Sequence, residues 1–445
     1  MPARRTLFIL AIGAGFFALA GVSKTAFYVG LSIDVVVLTL FVIDRRHLPR
    51  AGRVRIERRH PRVFPLGQAT KVCITISNDS PQPLRGILQD NPSGGLQPAP
   101  GLLDVNVPPH AQVELGYTLR PYERGRFSFH PGVLRAFGPL SMSLREYRFP
   151  ELRPKVSGAA ALDHEFTVYP TVSSATPRRV AAFEQRAETG YHRLRRHMEG
   201  TAPAYIREYV QGDSYRHIHW KATSRYDHPM VTQFDVDTNQ SIYIFVDCGR
   251  LTRVPVGPLR KLDYAINACA DLARVAIEEG DTVGVCCFSN RIKVWHEAKG
   301  KRAHFLKILE SLAMVSADNL ASNYHEPVNM FLSRVKRRSL CLFITTLSES
   351  ESTWELMRRL ITLRPRHVPA VVSLADPALE AALREPPTDF EDACRKLAAA
   401  DLREEVELFA HELRKRQGYF LDVPADALSL SAIQTYLDAK TKGLL

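Results

Sequence analysis

Two long apolar runs near the N-terminus constrain this chain more than any other feature. Leu7 to Val22 is uninterrupted, Ser23 and Lys24 intervene, and Thr25 to Ile43 is apolar again except at Asp34. A helix needs about 20 residues, and at least about 17, to span roughly 30 Å of hydrocarbon. Both runs sit near that limit, and their short connection predicts an uncleaved helical hairpin within residues 1–50. Arg4 and Arg5 precede it, and Arg45, Arg46, Arg50, Arg53, Arg55, Arg58, Arg59 and Arg62 follow. Short basic loops stay in the cytoplasm, so the expected location is the inner membrane, with the body inside the cell. Arg4-Arg5, the first run and Ala18-Leu19-Ala20 also imitate a signal peptide. Cleavage there would leave the second run as an anchor of the same orientation. Asp34 is costly in lipid and marks a candidate functional position, unless it faces the partner helix or the outer surface.

The net charge of +12 is concentrated in the same region. Residues 1–62 hold eleven Lys or Arg against Asp34, Asp44 and Glu57, which accounts for +8 of it. A basic collar at 45–62 beside an apolar helix favours anionic lipid as its partner, and no nucleic acid is expected. Across 445 residues, 45% apolar and 24% charged composition fits ordinary folded domains, two or three in number. The seven cysteines are odd in number and lack C-x-x-C spacing, and most lie in apolar runs. They read as buried, reduced thiols.

Residues 51–170 turn to short alternating runs separated by Gly, Pro, Asn and Asp. Lys71 to Ile76 ends at Asn78-Asp79-Ser80-Pro81, and Val113 to Leu119 ends at Pro121. Such runs predict half-buried strands in a β-sandwich-like domain of about five to eight strands. Arg124-Gly125 and Phe137-Gly138-Pro139-Leu140 carry turn chemistry. The region contains no catalytic constellation and reads as a spacer or binding module.

A distinctive stretch dominates residues 171–240. Helix-like sequence over about Val180 to Arg196 leads to Arg207-Glu208-Tyr209, a turn at Gly212-Asp213, then Arg216-His217-Ile218-His219-Trp220-Lys221 and Ala222-Thr223-Ser224-Arg225. Strand alternation would place Arg216, Ile218 and Trp220 on one face and His217, His219 and Lys221 on the other. Two histidines at i and i+2 suit a metal only if further ligands converge, and Lys221 opposes a cation. The mixture of Arg207, Arg216 and Arg225 with Glu208 and Asp213 predicts either an ion-pair network docking this segment to the C-terminal domain or a partner-binding patch.

From Ser241 to the end, apolar strands alternate with amphipathic helices, which predicts a doubly wound α/β domain over 241–445. The strands are read at Ile242–Val246, Val283–Phe288, Ile292–Trp295, Leu340–Ile344, Ala370–Leu374 and Tyr419–Val423. Sites in such folds lie at the carboxyl ends of the strands, where Asp247 falls. The charged helix over about Leu397 to Arg416 reads as a cover for the sheet.

Eleven positions within nineteen residues, namely Arg207, Glu208, Tyr209, Gly212, Asp213, Arg216, Ile218, Trp220, Ala222, Ser224 and Arg225, resemble the signature of the Domain of Unknown Function 58 family. The layout of membrane segments, β-rich region, signature and α/β domain is similar too. The last domain resembles a von Willebrand factor A domain, whose Mg²⁺ site combines Asp-x-Ser-x-Ser with a Thr from a middle loop and a later Asp. Here Gly249 and Leu251 stand at both Ser positions of Asp247-Cys248-Gly249-Arg250-Leu251. The later loop reads Thr345-Thr346-Leu347-Ser348-Glu349, and Ser322-Asn323 departs from the middle-loop pattern. Asp247 alone matches cleanly, so no cofactor is expected. Mg²⁺ on Asp247 and an Asp247 held structurally are the alternatives, with Arg250 partly replacing a cation.

The resemblance implies a MoxR-type AAA ATPase as partner, in assembly or maturation of protein complexes, beside other membrane or envelope proteins. The expected function is therefore a non-enzymatic membrane-anchored adaptor. A hydrolase using Asp247, or His217 and His219, is the competing class. Nucleophile-elbow, H-E-x-x-H, P-loop and G-x-G-x-x-G patterns are all absent from the sequence.

Overall fold

The computed structural model describes residues 24–94, 96, 98–149, 165–172, 202–210, 213, 215–226, 228–235, 240–347 and 350–442. The chain is multi-domain with mixed α and β content, and divides into two compact units, 1–169 and 170–445. The first apolar run, and with it the expected hairpin partner, lies outside the described residues, as does the helix expected over 180–196.

In the first unit, helix α1 (Lys24–Arg46) is long and apolar enough to cross a membrane. Asp34 lies within it, half-buried, and its Oδ1 has no hydrogen-bond partner among the described residues. The last turn of α1 carries Asp44, whose buried carboxylate is gripped by a loop near residue 140. Oδ1 accepts from Leu140 N at 2.7 Å; Oδ2 accepts from Met142 N at 3.0 Å, Ser143 N at 2.7 Å and Ser143 Oγ at 2.8 Å. Gly138 faces this carboxylate so closely that any Cβ would collide with it. The turn chemistry legible at Phe137–Leu140 therefore serves to seat the end of the apolar helix. Arg145 donates to the Leu48 and Pro49 carbonyls, and Tyr147 Oη donates to Pro49 O at 2.6 Å.

The strands that follow are β1 (Val54–Arg59), β2 (Val63–Pro65), β3 (Thr70–Asn78), β4 (Leu84–Pro92), β5 (Pro98–Ala99), β6 (Leu103–Val107), β7 (Ala111–Leu119), β8 (Gly125–Phe137), β9 (Leu144–Phe149) and β10 (Glu165–Tyr169). One sheet has the order β1-β3-β7-β5. The other runs β2-β10-β8-β4-β6, with β9 also on β8. Alternation explains the register: β3 and β7 pair with Ile74 opposite Leu115, and Val72, Ile74 and Ile76 are fully buried. A buried ion pair ties the sheets together. Arg58 on β1 grips Asp90 on β4, Tyr117 on β7 donates to the same carboxylate at 2.5 Å, and the Arg58 guanidinium stacks over Phe129.

In the second unit, β11 (Ala202–Glu208) and β12 (Met230–Asp235) form an antiparallel ribbon, and between them lie a 3-10 turn at Tyr215–His217 and the short helix α2 (Trp220–Tyr226). Then come β13 (Ser241–Asp247), a small hairpin β14 (Pro255–Val256) and β15 (Leu259–Arg260), α3 (Lys261–Glu278), β16 (Thr282–Phe288), β17 (Ile292–Lys299), α4 (Arg302–Met314), α5 (His325–Arg334), β18 (Ser339–Thr345), α6 (Ser350–Leu363), β19 (Val368–Leu374), α7 (Pro377–Arg384), α8 (Phe390–Lys415), β20 (Tyr419–Val423) and α9 (Leu428–Thr441).

The six-stranded sheet runs β17-β16-β13-β18-β19-β20, parallel throughout except for β17. Its strands are apolar on successive residues because both faces are covered. Ile242, Ile244 and Val246 pack with Ile266, Ala273, Leu312 and Ile433 on one side. Phe245 and Phe343 pack with Phe331, Leu356 and Phe409 on the other. The seven cysteines are all free, and five of them are buried.

Candidate functional site

Asp247 ends β13, where the sheet's backbone hydrogen bonds run out and a side chain can turn into the loops. The loop behind it is tied down by its own backbone: Cys248 N donates to Phe288 O at 2.7 Å, Arg250 N to Leu320 O at 2.9 Å, and Asp318 N to Cys248 O at 2.8 Å. This places the segment around Ser322 over Asp247. The carboxylate is buried and receives four donors. Gly249 N (2.8 Å) and Ser322 Oγ reach Oδ1, while Tyr324 Oη (3.0 Å) and Thr345 Oγ1 (2.6 Å) reach Oδ2. A carboxylate offers about four lone-pair positions, so all are in use. Tyr324 and Thr345 also lie 2.9 Å apart. Burial, reinforced by the Asp247 charge, pushes the Tyr324 phenol well above its ordinary range, so it stays a donor.

Gly249 stands at the first serine position of the resembled motif, and its missing side chain has a local reason. A Cβ there would run into the Ser322 hydroxyl. Ser322 thus delivers from the facing loop the hydroxyl that the motif would carry at 249. Beside this cluster opens a small pocket bordered by Arg250, Leu251, Ala321 and Ser352. A neighbouring pair fixes the same loops: Lys293 Nζ lies 2.7 Å from Asp318 Oδ1, and Ser289 donates to Oδ2. Against the upward push of burial, these two donors hold the Asp318 carboxyl below its usual range.

Among the described residues, no group of three or more His, Cys, Asp or Glu converges as a metal site. The donor set around Asp247 is one carboxylate and three hydroxyls that already point their protons at it. A cation would have to displace those protons and would gain no second carboxylate among the described residues in contact with Asp247. The described residues in contact with Asp247 offer a single carboxylate with its lone pairs already taken, a poor fit to Mg²⁺, which favours several hard oxygen ligands in octahedral array. Ser348 and Glu349 lie outside the described residues. Sequence reading missed Tyr324 and Thr345 as partners of Asp247; the only available signal was that Thr345 ends the strand after which the motif's acid is expected.

The signature residues form a different arrangement from the one expected. The stretch from Arg216 to Lys221 is not a strand: Tyr215–His217 is a 3-10 turn and Trp220 begins α2. His219 causes the change by capping the helix, its Nδ1 accepting from Ala222 N at 3.0 Å while its carbonyl accepts from Ala222 N and Thr223 N. The two histidines therefore do not share a strand face. Arg207 holds Asp213 bidentately, at 2.7 Å for both bonds, and Val210 N donates to the same carboxylate at 2.9 Å. These contacts, Arg207 first, keep the Asp213 carboxyl below its ordinary range.

Glu208 pairs with His228 at 3.3 Å, Tyr209 stacks on Tyr215, and Ser224 Oγ donates to Lys221 O. Among the described residues Arg216 and Arg225 make no ion pair, so the expected five-member network reduces to the Arg207–Asp213 clamp. Both arginines, and Trp220, are exposed instead. Gly212 lies outside the described residues. In the basic collar, Arg45, Arg46, Arg50, Arg53 and Arg55 are exposed, but Arg58 is not available to lipid because Asp90 draws it inward.

No curated protein matches the chain. Among solved structures, it is similar to the CARDB domain of the PF1109 protein in complex with di-metal ions from Pyrococcus furiosus, at 12% identity over 26% of this chain and 91% of that one, with a TM-score of 0.18. It is also similar to native alpha-2-macroglobulin from Escherichia coli, spanning domain MG7 to the C-terminus, at 14% identity over 26% of this chain and 16% of that one, with a TM-score of 0.19. A beta-glucosidase from Listeria innocua in complex with glucose follows at 13% identity over 21% and 16%, with a TM-score of 0.15. At these scores the likenesses carry no argument. Residues 205–405, which include all of the signature and most of the six-stranded sheet, match the family described as "Protein of unknown function DUF58", and this match supports the resemblance to that family over those residues.

Proposed function

We propose that the chain is a membrane-anchored adaptor without catalytic activity, whose second unit is a von Willebrand factor A-like domain closed to cations. The observation that carries this reading is the saturation of Asp247 by Gly249, Ser322, Tyr324 and Thr345. Strand order and the single antiparallel strand β17 support the A-like fold, and the fully covered sheet supports its doubly wound form. The two sheets of the first unit, joined by Arg58 and Asp90, support a β-sandwich spacer seated on α1. The exposed arginines after α1 favour a cytoplasmic body at the inner membrane and contact with anionic headgroups.

The family resemblance supplies the partner: a MoxR-type AAA ATPase acting on protein complexes. Affinity capture of the intact chain from membranes, alongside Asp247→Asn, tests this. Recovery of an AAA ATPase with the unmodified chain is expected. Its absence, or turnover of a hydrolysable substrate that Asp247→Asn abolishes, would overturn the adaptor reading.

A further inference from the structure

Tyr215 to Tyr226 contains Arg216, Lys221 and Arg225 and no acidic residue. Its aromatic side chains stand in solvent: Tyr215 is 75% exposed, Trp220 71% and Tyr226 59%. Exposed rings of this size next to exposed cations mark recognition surfaces, since Trp, Tyr and Arg dominate binding hot spots. The backbone beneath is fixed in advance. The Arg207–Asp213 clamp closes the turn, Tyr209 stacks on Tyr215 with ring centres 5.8 Å apart, His219 caps α2, and Ala222 is buried beneath it. A surface pre-organised in this way loses little entropy on binding.

We propose that Tyr215, Trp220 and Tyr226, with Arg216, Lys221 and Arg225, form the docking surface for an acidic segment of a protein partner. Charge selects the occupant: Arg216, Lys221 and Arg225 are exposed and make no ion pair among the described residues, so a partner's carboxylates complement them. α2 is seven residues long and, apart from the rings of Trp220 and Tyr226, its exposed face is polar; adducts with lipid in the test below separate this surface from a lipid anchor. The proposal rests on the adaptor reading and assigns that adaptor its contact site.

The test places a photo-crosslinking benzoylphenylalanine at position 226 of the full chain in native membranes, and sequences the adduct. The expected adduct is a segment of another protein with an excess of Asp and Glu. Its yield should fall at least about tenfold in Arg216→Glu/Arg225→Glu and in the milder Arg216→Gln/Arg225→Gln, and should recover when acids in the adduct are changed to Lys. Adducts with phospholipid alone, with neutral or basic segments, or with nothing would overturn the proposal, as would a yield that charge reversal leaves unmoved. The ATPase reading fails separately. An acidic adduct in a protein that is not an AAA ATPase keeps this surface and removes that partner, whereas capture of the ATPase with no acidic adduct does the reverse.

Discussion

The Thr345 hydroxyl lies 2.6 Å from Asp247 Oδ2, joining the carboxyl ends of two adjacent parallel strands across 98 residues of sequence. This bond uses one of the lone pairs through which a cation would enter. Asp247→Asn turns one acceptor oxygen into a donor facing hydroxyls that also donate, so about 1–3 kcal/mol of stability should be lost. Thr345→Val should cost a similar amount by leaving Asp247 short of a donor. Melting curves of the intact chain with and without 10 mM MgCl₂ (roughly the level at which a millimolar site would show) check the closure. The midpoint of the unmodified protein should not move, because ligand that binds only the folded state must raise it.

His367 gives the second unit a predictable acid sensitivity. Its side chain is fully buried against Phe331, and among the described residues neither ring nitrogen has a hydrogen-bond partner. Burial, with Arg366 and Arg338 nearby, lowers its pKa from 6.5 to about 4. The unfolded chain takes up this proton near pH 6.5, while the folded chain resists until about pH 4. Stability from the neutral ring is therefore complete above pH 6.5 and lost as pH falls toward 4, up to about 3 kcal/mol in all. Hydrogen exchange of the Leu340–Thr345 amides should accelerate over that window, and His367→Phe should flatten the dependence.

Arg58 and Asp90 should behave unlike the rest of the basic collar. Their side chains are 4% and 1% exposed, so Arg58→Met leaves a buried, unpaired carboxylate and should cost about 3–5 kcal/mol. Arg45→Gln with Arg46→Gln should leave stability within about 0.5 kcal/mol. Flotation with vesicles containing phosphatidylserine should show the opposite order: the exposed pair weakens binding, and Arg58→Met leaves it unchanged provided the chain stays folded.

What could be read from the sequence follows the range of the interactions. Ile242–Val246, Val283–Phe288 and Leu340–Ile344 announce themselves because strands buried on both faces must be apolar at every residue. Lys71–Ile76 is legible because one buried face imposes alternation. The same alternation over Arg216–Trp220 misleads, since His219 caps a helix there and overrides the period. Tyr324 and Thr345 leave no local trace of their role, being 77 and 98 residues from Asp247. Asp44 is invisible for the same reason: in the sequence it is one acid among arginines, and its donors lie nearly a hundred residues away.

The Asp44 anchor makes α1 and the loop at 138–143 a single mechanical element. Three backbone N–H groups and the Ser143 hydroxyl converge on one carboxylate, and charge-assisted bonds of this kind are about twice as strong as neutral ones. Asp44→Asn keeps the size but offers a single acceptor oxygen, so at least one of the amides at Leu140, Met142 and Ser143 loses its partner. Gly138→Ala attacks the same contact from the other side, by pushing a methyl group into the carboxylate. Both variants should raise hydrogen exchange at these three amides by at least about tenfold, corresponding to about 1.4 kcal/mol of local opening. Amides of Val72, Ile74 and Ile76 in the buried part of β3 should stay protected. If exchange rose equally at both places, the substitutions would be unfolding the whole sheet pair and the anchor would not be a separate local contact.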